Sequence, residues 1–85
     1  MMLDELASRY ILKADRVFDT IKVPEEAISI NAENVKEVVE EAKRYLEDAK
    51  FYLEKRRLET SLASVAYCEG LLDALRLMGL VNFSW

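Results

Sequence analysis

Histidine and glutamine are absent from the 85-residue chain, and glycine, proline and cysteine are nearly so. Without histidine, neither a nucleophile–histidine dyad or triad nor a histidine-containing metal site can be assembled. The two glycines, Gly70 and Gly79, are too few for a phosphate-cradling loop. A single cysteine, Cys68, cannot form an internal disulfide and suits a reducing compartment. It lies among apolar residues in a helical pattern and reads as a core thiol. Long apolar runs are also missing. The stretch Leu62–Val81 comes closest to a membrane span, but Glu69, Asp73 and Arg76 interrupt it. Asp or Arg at mid-bilayer costs about 2.5–3.5 kcal/mol each, so the segment is expected to be a helix of a soluble protein. The residues Met1 to Glu5 are acidic and hold no continuous apolar run, so no secretory leader is expected and a cytoplasmic location is.

What is present is 52% apolar and 33% charged residues with a net charge of −4. That composition fits one small domain spanning residues 1–85, near the lower limit for a self-sufficient core. The acidic balance argues against binding nucleic acid or an anionic membrane non-specifically. Abundant Glu, Lys and Arg without glutamine is a thermophile-like bias.

Three apolar stripes recur at helical spacing. Leu3, Leu6, Ala7, Tyr10, Ala14, Val17 and Ile21 form the first, which Val23-Pro24 ends because proline disfavours the helical conformation of the residue before it. A linker carrying Ala27, Ile28 and Ile30 follows. Asn31 suits an N-cap, with Glu33 in the first turn beyond it. The second stripe comprises Val35, Val38, Val39, Ala42, Tyr45, Leu46, Ala49, Tyr52 and Leu53. The third runs from Leu58 or Glu59 towards Gly79, a natural C-terminal cap. Helices are therefore predicted near residues 2–22, 32–55 and 59–79, and short connections make neighbours antiparallel. The expected fold is all-α, an up-down-up three-helix bundle burying Val17, Val39, Leu46, Leu53, Leu72 and Leu75. Gly70, costing about 1 kcal/mol relative to alanine inside a helix, suggests a close backbone approach or a slight kink.

The third stripe changes sides. Leu58, Leu62 and Val65 lie on one line that continues as Glu69, Asp73 and Arg76, while Tyr67, Leu71, Leu75 and Met78 take over opposite. Either the linker covers Leu58, Leu62 and Val65, or another chain does. The six residues Leu58, Leu62, Val65, Glu69, Asp73 and Arg76 are the candidate partner interface. The bland reading of the last three is an exposed edge; the sharper one is a polar cluster bonded to Tyr45, Tyr67 or a partner.

Two other surfaces compete. Lys55, Arg56 and Arg57 gather positive charge at one end and are weak candidates for phosphate or RNA contact, although cations at a helix C-terminus need no such role. Glu37, Glu40, Glu41, Glu47 and Asp48 crowd the second helix, where such acids can hold magnesium. Lys36, Lys43, Arg44 and Lys50 are interleaved with them at salt-bridge spacing, the pattern of a solvated face. The tail Leu80–Trp85 is expected to fold over the bundle end, or to serve as a docking peptide if its aromatics are exposed.

The run Glu40-Glu41-Ala42-Lys43-Arg44-Tyr45-Leu46-Glu47-Asp48-Ala49 with Phe51-Tyr52-Leu53-Glu54-Lys55 resembles a small archaeal family, domain of unknown function family 357. So does Ser61-Leu62-Ala63-Ser64-Val65-Ala66-Tyr67 with Glu69-Gly70-Leu71-Leu72-Asp73-Ala74-Leu75, Leu77 and Gly79-Leu80-Val81. The resemblance implies short, all-helical, intracellular proteins with a three-helix bundle, and it supplies no catalytic residue. Relatives often carry a glycine in the turn between the last two helices, where this chain has Arg56-Arg57-Leu58. The expectation is a non-enzymatic interaction or accessory domain without cofactor or metal, binding an unidentified protein or itself through the third helix. The alternatives are a phosphate binder using Lys55–Arg57 and a magnesium-dependent enzyme on the second helix.

Overall fold

A computed structural model of the chain describes residues 2–85. Three helices are present, α1 (Met2–Thr20), α2 (Ala32–Glu54) and α3 (Leu58–Leu77), and no strand occurs among the described residues. The fold is all-α with three helices, of which α2 and α3 pack along one another.

The local causes are those of the sequence. Asn31, in extended backbone, accepts from the Asn34 amide at 2.9 Å and so satisfies one of the unpaired donors of the first turn. Both later helices end in the same way. At the end of α2 the Arg57 amide donates to the Tyr52 carbonyl and the Arg56 amide to that of Leu53, with Arg56 at φ 62°. At the end of α3 the Leu80 amide donates to Leu75 and the Gly79 amide to Arg76, with Gly79 at φ 73°. Each is a Schellman motif turning on one left-handed residue. Glycine fills that position after α3; after α2 arginine does, and Arg57 lies over the Tyr52 ring at 5.5 Å where an apolar contact usually sits.

The α2–α3 pair is an antiparallel hairpin with a heptad seam. Val35, Val38, Ala42, Tyr45, Ala49 and Tyr52 are the inward positions of α2, alternating three and four residues apart. Ser61, Val65, Cys68, Leu72 and Leu75 answer from α3 with the same alternation. The buried members, Ala42 and Ala49 on one side and Ser61, Cys68 and Leu75 on the other, each recur at the heptad interval. Small residues at every second layer let the backbones approach. Register is pinned where the Ser61 hydroxyl donates to the Ala49 carbonyl at 2.7 Å, a buried bond between helices.

Helix α1 packs against neither α2 nor α3, and none of its residues is buried. Two expectations change as a result. Val17 is exposed because no helix covers α1. Val39 and Leu53 are exposed because they sit one position beyond the seam, on a flank nothing covers, while Leu46 and Leu72 are half-buried and only Leu75 is deep. Gly70 is also not a point of backbone approach, since a Cβ there would meet nothing within 4 Å. The molecule measures 45 × 31 × 20 Å with a radius of gyration of 15.8 Å, against ~12 Å for a compact chain of this length. Among the described residues no helix is long and apolar enough to cross a membrane.

Candidate interaction surface

The side-switching line on α3 follows from the heptad. Ser61 and Cys68 take the inward positions, so Leu62 and Glu69, one residue further on, fall on the same outer flank. Leu58 is 54% exposed and Leu62 70%, whereas Val65 is half-buried in the seam. The linker does not cover them. Ile28 is exposed, and Ile30 sits at the far end of the hairpin, lining a cavity of about 350 Å³ with Val35, Val38, Leu75, Met78 and Leu80.

Downstream on the line the polar residues divide. Arg76 donates to Asp73 Oδ1 through Nε at 3.0 Å and Nη2 at 2.7 Å. The indole Nε1 of Trp85 donates to the same oxygen at 3.2 Å. Asp73 is held below the usual carboxylate range first by the Arg76 hydrogen bonds and then by the Trp85 bond. Tyr45 and Tyr67 are not part of this cluster; they stack on each other at 4.4 Å on the opposite flank. The tail therefore turns back on α3, with Phe83 and Trp85 edge to face at 4.9 Å, and Trp85 keeps two thirds of its surface in water. Position gave no hint of the Trp85–Asp73 bond, because a tail residue has no periodicity to place it. Glu69 stays exposed, and its charge adds to burial in pushing the Cys68 thiol upward.

The competing surfaces are differently built. Lys55 Nζ lies 5.4 Å from the Phe51 ring and Arg57 over Tyr52, while Arg56 serves as the left-handed turn residue. The three cations thus finish α2, and two of them rest on the adjacent rings of Phe51 and Tyr52. On α2, Glu41 pairs with Arg44 at 2.7 Å, Glu47 with Lys50 at 3.3 Å and Glu33 with Lys36 at 3.7 Å. An open concavity of about 520 Å³ runs along this face, lined by Glu40, Glu41, Lys43, Arg44, Tyr45, Glu47 and Asp48. Its acids and bases alternate, and among the described residues no three potential ligands are grouped to hold a metal ion.

A family model described as Protein of unknown function (DUF357) matches residues 9–81. The chain belongs to that family. The matched region of this DUF357 chain takes in most of α1 and all of α2 and α3, so the linker and both Schellman turns lie inside the family's span. No curated protein and no solved structure matches it.

Proposed function

We propose that this DUF357 domain is a non-enzymatic interaction module that docks a protein through the flank of α3 begun by Leu58 and Leu62. The observation that carries this reading is the exposure of those two leucines beside a linker that runs elsewhere. Each forgoes roughly 1.5–3 kcal/mol of burial while left in water. Glu69, Asp73 and Arg76 continue the line as the polar rim that interfaces commonly have. The lone buried thiol fits our placing of the domain in the cytoplasm.

The test is Leu62→Glu. Association, followed by light scattering for self-association or by binding to a purified partner, should be abolished. Helical content and melting of the isolated monomer should hardly change, because Leu62 touches little in its own chain. A variant that unfolds instead would make Leu62 internal core and end this reading.

A further inference from the structure

The molecule leaves two apolar surfaces uncovered that fit each other. One is α1, whose Leu3, Ala7, Tyr10, Ala14 and Val17 alternate four and three residues apart, the same seam that joins α2 to α3, with Ile21 continuing the line just past its end and Ile11 and Phe18 widening it. The other is the open flank of the hairpin. There Val39, Leu46 and Leu53 of α2 run at the heptad interval beside Leu62 of α3. The opposite flank is already occupied by the Tyr45–Tyr67 stack and by Ile30.

Charge gives the docking a direction. Outside the apolar row on α2 stand Lys36, Lys43 and Lys50; on α3 the corresponding edge carries Glu59, Glu69 and the mutually paired Asp73 and Arg76, and so is acidic on balance. Helix α1 has an edge with Asp4 and Asp15 and an opposite edge with Arg9, Lys13 and Arg16. When α1 lies in the groove antiparallel to α2, its acidic edge meets the lysines and its basic edge meets the glutamates. Reversing α1 places like charges together on both sides, so the pairing selects one orientation.

We infer that the occupant of this groove is α1 of a second copy of the chain, exchanged reciprocally to give a two-fold dimer. Helix α1 stands clear of its own hairpin, and residues 21–31 between them can span up to about 35 Å. Reciprocal exchange covers both helices and both grooves and leaves no open end. This inference rests on the α3 flank being an interaction surface and names what fills it.

Light scattering on the full chain at tens of micromolar should give twice the 9.8 kDa chain mass. Ile11→Glu disables the helix and Leu53→Glu the groove; each variant alone should be monomeric with the helicity of the α2–α3 hairpin kept, and mixing the two should restore a heterodimer. Lys43→Glu, a surface change that leaves folding alone, should weaken the dimer roughly tenfold, because each contact occurs twice, and adding Asp15→Lys should recover it. A monomer at every concentration overturns the inference, whether α1 remains free or closes on its own groove. A dimer that survives Ile11→Glu but is lost in Leu62→Glu overturns α1 as the occupant and leaves the α3 surface standing. Failure of the mixture to re-form a dimer rules out exchange.

Discussion

The hydroxyl of Ser61 shows how one residue sets a register. A heptad seam of small residues could slide by a layer, and the buried bond to the Ala49 carbonyl holds it in place. Arg56 shows the converse, a residue tolerated against its preference. At φ 62° it occupies a conformation costing a non-glycine residue about 1–2 kcal/mol, and no hydrogen bond of its side chain is needed to make the turn. Arg56→Gly should therefore raise stability by up to ~1 kcal/mol after glycine's greater unfolded-state entropy is counted, readable as a shift in urea midpoint at unchanged slope. Asp73 carries a pH prediction. Its carboxylate is held low by Arg76 and then Trp85, so it binds its proton less readily folded than unfolded. The stabilisation is complete above the ordinary aspartate range, near 3.9, and is lost as pH falls through the lower folded value. Fluorescence of Trp85, the only tryptophan, should report release of the tail in that acid window and not above it. In Asp73→Ala the tail should be free at neutral pH, and an unchanged spectrum there would mean that the indole is held by packing alone.

At the scale of the elements, the three helices were legible because each carries its own periodicity and its own stop signal. Asn31, Gly79 and the residue before Pro24 mark ends through backbone chemistry that needs no tertiary partner. The side switch on α3 was legible for the same reason, since Leu62 and Glu69 share a flank by spacing alone. What covers a flank is not local information. Val17, Val39 and Leu53 have the same spacing as residues that are buried, and only the position of a neighbouring helix decides between them. The uncovered rows were therefore expected inside. Of the two readings of Gly70, close backbone approach is the one that fails, since its helix passes no backbone closely enough to require it. Gly70→Ala should add about 1 kcal/mol by helix propensity, seen as a higher melting temperature with unchanged association. A loss of stability would show that close approach occurs after all, in an assembly larger than one chain.

For the whole molecule the governing fact is an imbalance between apolar surface made and apolar surface covered. The α2–α3 hairpin completes one seam, with a core as thin as Ala42, Ala49, Cys68 and Leu75. Helix α1 offers a second seam, and neither α2 nor α3 meets it. A helix of 19 residues gains little from propensity alone in water, since most helical stability in proteins comes from packing an amphipathic face. If that packing is between chains, folding of α1 is linked to association, and association obeys mass action. The melting temperature should then climb with protein concentration, and the far-ultraviolet helical signal should weaken on dilution as α1 frays while the hairpin persists. Circular dichroism melts across a hundredfold range of concentration measure both. In Ile11→Glu the dilution dependence should vanish and the helical signal should stay at its dilute-limit value throughout. Melting independent of concentration in the unmodified chain, with full helicity retained, would mean that α1 holds its helix without a second copy.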